Sequence, residues 1–392
     1  MNSRMNNKKA LPILFAIMFL VMVGFGIIIP VLPFYAEEIG ASPLQLGLLM
    51  GVYSVMQLLF APMWGRISDR IGRKPVIMIG IAGLALSFFL MAVSSQLWML
   101  FAARMIGGIL SSANMPTVMA YVADITSEED RGKGMGIIGA AVGLGFIFGP
   151  AIGGVFSKES LSTPFYIAGA FSVITFILVL FVLKESLSPE MRQGHFKKGE
   201  SILSAFKGPS SILFILQWFV SLSLSGLEAT FAYFGAEKAG LGTTSLGYIF
   251  MIMGLAGAIV QGGLVGRLTK KLGEGFVIQL GIVISALGFG LILLIDSFLT
   301  AAVFLTVFGI GNGFIRPSVS SLLTKTSAAG HGSTTGLLSS FDSLGRVIGP
   351  PMGGWLFSVS MGLPYLSGII LSAAAFLLYR IYTQQHKRRV AS

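Results

Sequence analysis

The chain has 392 residues, 54% of them hydrophobic and 11% charged, with a mean hydropathy of +0.84. Water-soluble chains carry about a quarter charged residues, so a soluble enzyme or a nucleic-acid binder is excluded. The formal charge of +11 is spread over short loops and so reports orientation in a membrane, while the absence of cysteine removes disulfides, thiolate nucleophiles and thiolate metal sites.

Twelve apolar runs follow, at 10–34, 44–63, 76–95, 97–122, 134–156, 164–183, 210–234, 244–265, 276–295, 299–322, 333–357 and 364–382. Each can cross a hydrocarbon layer about 30 Å thick as a helix. The first run follows Arg4, Lys8 and Lys9 as a signal peptide would, but continues through Phe25 to Pro33 without a small-residue cleavage site, and is read as a span. An even count puts both termini on one side. Lys and Arg crowd the loops of that side, whereas the opposite loops hold only Lys158 and Lys238, so the positive-inside rule predicts cytoplasmic termini. The expected architecture is an all-α membrane protein: two six-helix bundles, 1–183 and 210–392, joined by a polar cytoplasmic loop, 184–209, that carries Lys197 and Lys198.

In chain order, Phe25 on the first span and Tyr53 with Gln57 on the second are candidate cavity residues. The turn after span two reads Gly65-Arg66-Ile67-Ser68-Asp69-Arg70-Ile71-Gly72-Arg73-Lys74, where glycines suit a tight turn and Asp69 can meet helix-start amides or an arginine. Arg104 lies inside span four, where a charge costs several kcal/mol unless it faces a cavity or a partner. In span five Gly145, Gly149 and Gly153 share a face that lets another backbone approach, Gly154 follows, and Pro150 bends the helix. Span seven places Gln217, Ser221, Ser225, Glu228 and Phe231 on one stripe expected to line a cavity, with Tyr233 nearby. A carboxyl group there can accept a proton or pair with a cation. Asn312 in span ten is a candidate cavity hydrogen-bonder, and Arg316 is expected to snorkel to the cytoplasm. Asp342 and Arg346, four apart in span eleven, share a face as a structural ion pair or as part of a proton path.

The two halves repeat at an offset of 200 to 201. Gly65 through Gly72 answers to Gly266 through Gly273, Pro116 to Pro317, and Gly149-Pro150 to Gly349-Pro350. A common offset across six spans indicates a duplicated bundle, which in membranes points to a transporter with its site near the midplane.

The Gly65–Lys74 loop resembles the signature loop of the major facilitator superfamily, and the chain as a whole resembles that superfamily's twelve-helix drug/proton antiporters, the bacterial multidrug and quinolone efflux group. The resemblance implies a conformational latch at Gly65, Asp69, Arg70, Gly72 and Arg73, with Asp69 and Arg73 as its ion pair. It also implies an antiporter motif at Gly145, Gly149, Pro150, Gly153 and Gly154. Proton coupling would involve Glu228, Arg104, Asp342 and Arg346, and substrate binding Glu228, Phe25, Tyr53, Gln57, Phe231, Tyr233 and Asn312. The second copy of the loop departs from the pattern, with Lys270 and Glu274 in place of the acid and the arginine. Where some relatives carry an acid before an Ile-Arg-Pro run, Gly313 and Phe314 stand here.

The implied function is proton-driven export of hydrophobic cationic or zwitterionic drug-like compounds across a bacterial plasma membrane, by a monomer with no cofactor, metal or nucleic-acid partner. The alternative is a transporter of one specific small solute on the same fold. A passive channel would not need duplicated halves and a hinge. An enzyme is excluded because His195, His331 and His386 sit in loops or the tail with no metal spacing, nucleophile elbow or phosphate loop.

Overall fold

The computed structural model describes residues 2–187, 211–326 and 331–391, all helix and turn with no strand among them. Most of the polar connection 184–209, with His195, Lys197 and Lys198, lies outside the described residues, as do the side chains of His331 and His386. The first half contains α1 (Asn2–Glu38), α2 (Pro43–Ile71), α3 (Arg73–Ala92), α4 (Leu97–Ser111), α5 (Asn114–Ile125), α6 (Arg131–Phe156) and α7 (Thr163–Val182). The second contains α8 (Ser211–Ala239), α9 (Thr243–Ile259), a π-turn (Val260–Leu264), α10 (Val265–Ile292), α11 (Phe298–Thr326), α12 (His331–Val359) and α13 (Leu363–Ala391).

Two expected boundaries change. Span four is not one helix: it breaks between α4 and α5, where the ring of Pro116 would meet the carbonyl of Ser112 four residues back. The Ser112 hydroxyl donates to the Ile109 carbonyl at 2.7 Å and thereby closes the last turn of α4. Spans eight and nine run on as a single 50-residue helical path, Thr243–Ile292, turned only at Gly273. Nine helical runs among the described residues are long and apolar enough to cross a membrane, and that path is one of them. The remaining spans are α12, which carries Asp342 and Arg346, and the α4–α5 pair, each helix too short to cross alone.

The repeat returns in the backbone. Every positive-φ residue among the described ones is a glycine, and they form two pairs at the repeat offset: Gly40 (φ 89) with Gly240 (φ 61), and Gly72 (φ 109) with Gly273 (φ 80). A side chain would be strained at each, so these four turns require glycine.

The chain packs as two compact units. One comprises Met1–Ala41, Val52–Phe196 and Thr243–Met251; the other comprises Ser42–Gly51, Lys197–Gly242 and Ile252–Ser392. The units thus depart from the simple halves 1–183 and 210–392 by two short segments, the starts of α2 and α9.

Within the first unit α6 lies against α1 so closely that a Cβ on Gly149 would come within 2.7 Å of the Gly26 Cα. Within the second, α12 repeats this against α8, where a Cβ on Gly353 would stand 2.9 Å from the Gly226 carbonyl oxygen. The Thr244 hydroxyl donates to the Gly154 carbonyl at 2.6 Å, which ties the start of α9 to α6. Around α8 and α12, Leu213, Leu216, Ile278, Val319 and Leu323 form a fully or almost fully buried core.

Candidate functional site: a charge cluster in each unit

In the second unit the centre is Asp342, on α12. Its Oδ1 accepts from Gln217 Nε2 at 3.1 Å, from the Ser221 hydroxyl and from Arg316 Nη2, and its Oδ2 accepts from Arg346 Nε at 3.3 Å. Both carboxylate oxygens are therefore taken. The expected Asp342–Arg346 pair exists, but it is half of an arrangement with two arginines. Arg316, expected to reach toward the cytoplasm, pairs with Asp342 through Nη2 while a third of its side chain stays exposed.

The polar stripe of α8 also differs from expectation. Gln217, Ser221 and Ser225 are all at least nine-tenths buried and turn onto α12, with the Ser225 hydroxyl donating to the Gly345 carbonyl at 3.1 Å. Of the stripe, Gln217 lines the cavity beside Asp342. Phe231 does not line one: it is fully enclosed in packing. Tyr233 is buried against Phe357, their ring centroids 6.0 Å apart. Asn312 borders a small, largely apolar cavity with Ser285 and Phe308, and its Oδ1 has no hydrogen-bond partner among the described residues.

Glu228 lies two helical turns beyond Ser221 on the same helix and is half-buried. The charged groups that act on it are Arg346, Arg316 and Asp342. Among the described residues it forms no ion pair of its own. The structure thus brings Asp342 and Arg346 together and adds Arg316, Gln217 and Ser221 as partners of Asp342, with Glu228 further along α8.

In the first unit, Arg104 on α4 is 5% exposed, with its guanidinium carbon 4.3 Å from the centroid of the Tyr53 ring. A cation over an aromatic face contributes about 0.5–2 kcal/mol, the upper end when desolvated. Tyr53 is fixed in turn: its hydroxyl hydrogen-bonds the Ser111 hydroxyl at 2.6 Å, accepts from Gln57 Nε2 at 3.2 Å, and its ring tilts on Phe25 at 5.5 Å. Phe25, Tyr53, Gln57 and Arg104, named from three different spans, therefore form one contiguous patch.

At the α2–α3 turn, Arg73 is a hub. Its Nη1 donates to Asp69 Oδ1 at 2.5 Å and to the Ser68 hydroxyl at 2.7 Å, and its Nε to Asp124 Oδ2 at 3.0 Å. The backbone N–H groups of Arg73 and Lys74 donate to the two oxygens of Glu185, at 2.8 and 3.1 Å. Gly65 lies inside α2 with nothing crowding it, so the turn belongs to Gly72 alone. Asp124 and Glu185 were missed in the sequence. For Asp124 the available signal was an acid at the end of an apolar span with no basic neighbour on its own helix; Glu185, which follows Lys184 beyond the end of α7, gave none.

The corresponding turn of the second unit holds Glu274, immediately after Gly273, paired with Lys325 and bonded by the Ser321 hydroxyl at 3.2 Å. These are the repeat positions of Arg73 and Asp124, with the signs exchanged. The glycines of the expected antiporter motif serve helix packing: Gly145, Gly149 and Gly153 lie on α1, at Met22, Gly26 and Ile27. Among the described residues no cluster of acids and histidines could hold a metal ion.

Two duplicated helical bundles with ionisable clusters inside the apolar spans define a membrane transporter, not an enzyme. The chain belongs to the Major Facilitator Superfamily, whose family model matches residues 14–331 and 263–392. It is 31% identical over 373 residues to multidrug resistance protein 2 of Bacillus subtilis, covering 93% of each chain. It is 29% identical over 383 residues to quinolone resistance protein NorA of Staphylococcus aureus, covering 97% of this chain and 98% of that one. Among solved structures it shares its fold with the nucleoside transporter NupG (TM-score 0.77, 16% identity, 99% and 100% coverage). The human organic anion transporter MFSD10 shares it too (TM-score 0.69, 24% identity, 95% and 99% coverage).

Proposed function

We propose that this protein is a proton-coupled exporter of hydrophobic, cationic or zwitterionic drug-like compounds, working as a monomer by alternating access, with both termini in the bacterial cytoplasm. Similarity to multidrug and quinolone resistance proteins over nearly the whole chain supports the substrate class. The single observation that carries the coupling is Glu228: a half-buried acid inside the second unit, acted on by two arginines yet paired with neither.

An acid so placed has two ways to lose its charge problem. It can take a proton, or it can accept a cation from the cargo; the two exclude each other. A proton arriving from outside neutralises Glu228, releases the cargo and permits the return. Exchange of one proton for a zwitterion moves one net charge, about 2.3 kcal/mol at about 100 mV or an accumulation of roughly 50-fold, whereas exchange for a monocation is electroneutral and is driven by the pH gradient alone. Asp342 is assigned the supporting role of holding Arg316 and Arg346, since donors occupy both of its oxygens. Arg104, over Tyr53, holds the cation-compatible aromatic patch in the first unit.

The test is dye efflux in everted vesicles under an imposed pH gradient, comparing the parent with Glu228→Gln. Loss of gradient-driven transport is expected. Unchanged transport in the variant removes Glu228 as the coupling site, and saturation by one solute with no competition among unrelated dyes favours a solute-specific transporter.

A further inference from the structure

A small cavity of about 20 Å³ lies inside the second unit, and each of the four helices around it brings one polar side chain: Ser223 from α8, Ser285 from α10, Asn312 from α11 and Ser372 from α13. The rest of its wall is apolar and includes the rings of Phe289 and Phe308. Polar groups from four helices in an oily wall are costly unless something bonds them.

No side chain does so for two of them. Among the described residues neither the Ser285 hydroxyl nor the Asn312 Oδ1 has a hydrogen-bond partner, although Ser285 is 5% and Asn312 8% exposed. Buried polar atoms without partners are rare in folded proteins, and here two of them belong to the lining of one cavity. The helices cannot close up to join them directly. A Cβ on Gly288 would come within 2.6 Å of the Phe308 Cα, and one on Gly311 would collide with the Ser285 hydroxyl, so α10 and α11 already meet at their backbones. Ser372 keeps its acceptor capacity, because its hydroxyl donates to the Gly368 carbonyl at 2.8 Å.

The lining also fixes the chemistry of the occupant. The wall contains no charged residue to compensate an ion. An apolar guest would leave Asn312 and Ser285 unbonded. A buried water needs about 10–15 Å³ and two to four polar partners, so the space takes one and the wall supplies its bonds.

We propose that this cavity is a binding site for one ordered water, which donates to the Asn312 Oδ1 and the Ser372 hydroxyl oxygen and accepts from the Ser285 and Ser223 hydroxyls. That water joins α8, α10, α11 and α13, and Asn312, expected from the sequence to bond in a cavity, bonds to it. The inference is independent of the exporter reading.

The test is hydroxyl-radical footprinting by X-ray radiolysis of the full-length protein in lipid nanodiscs, read by mass spectrometry. The radicals arise from water, so a ring deep in the bundle is oxidised where a water rests against it. Phe289 and Phe308 are 2% and 1% exposed, and Phe231, fully enclosed elsewhere on α8, is the internal control. In the parent the two cavity rings are expected to be oxidised at least about five-fold faster than Phe231. Oxidation as slow as that of Phe231 overturns the proposal. Asn312→Leu, which fills the space with apolar atoms, should bring both rings down to the control rate, and an undiminished rate overturns the proposal as well. Should that variant fail to fold, Ser285→Ala decides by melting. Loss of a water-bonded hydroxyl lowers the melting temperature by about 2 °C, whereas loss of an unbonded one leaves it unchanged or raises it, and either of the latter overturns the proposal.

Discussion

The turns at Gly72 and Gly273 occupy the same place in the repeat and share a backbone conformation, yet their charges run in opposite directions. At the second turn Glu274 begins the helical segment after Gly273, and Lys325 lies in the last turn of α11. Each sign agrees with the dipole of its helix end, so two side chains suffice. At the first turn Arg73 begins α3 and Asp124 lies in the last turn of α5, each opposed by the local dipole. That arrangement needs help, and Asp69 and Glu185 supply it, with Glu185 capping α3 in place of a local side chain. The lesson is that one ion-pair position is a two-residue clasp in one unit and, in the other, an arginine shared by Asp69 and Asp124 with Glu185 on the backbone N–H groups beside it. Glu185 joins the first turn to the start of the connection between the halves.

The contrast can be broken most severely at Arg73. Replacing it with glutamine strands Asp124 and Asp69, and because Asp69 is partly exposed the expected loss is about 2–3 kcal/mol rather than the full cost of a buried orphan. Thermal unfolding in detergent should register it, and efflux should fall at least about ten-fold. A variant with parental melting and parental efflux would show that the cluster holds nothing.

A smaller effect is expected at Glu185→Gln, which keeps a hydrogen-bonding side chain but removes the charge from the α3 N-terminus. The cost is about 1 kcal/mol. If Glu185 couples the connection to the turn, efflux should slow by more than the melting shift accounts for; a proportionate fall in both would reduce Glu185 to a cap.

The mildest change sharpens the comparison. Glu274→Lys alone places like charges together beside Lys325, and adding Lys325→Glu should recover most of the loss while leaving a residual of about 1 kcal/mol from the reversed dipole contacts. Full recovery in melting experiments would mean that helix dipoles do not set the sign preference, and the account of the first turn would lose its basis.

These regions also mark how far the sequence could be read. The duplication, the spans and the turn glycines were legible because each is a local pattern: an apolar run, a fixed offset, a residue type that one backbone conformation demands. The break at Ser112 was available in the same way, from Pro116, and was overlooked. Cross-helix partners were not legible. Helical periodicity placed Gln217, Ser221, Ser225 and Glu228 on one face of α8, but not which neighbour that face meets: all were expected to line a cavity, whereas Ser221 and Ser225 bond to α12 and Gln217 both bonds to α12 and lines a cavity. Arg316 and Asp342 stand 26 residues apart on different helices, a pairing that no periodicity encodes. Phe231 shares the stripe of Glu228 by spacing alone, and packing encloses it.

The central claim is that proton and cargo compete for Glu228, and the most direct measurement is proton release on binding. A permanently cationic dye without a carboxyl group is added to the purified protein in weakly buffered solution, near the pH where Glu228 is half protonated, with a pH indicator as readout. The account predicts that binding expels a substantial fraction of a proton per bound dye in the parent, and none in Glu228→Gln under the same saturating conditions. Dye binding with no proton release in the parent, or equal release in both proteins, contradicts it.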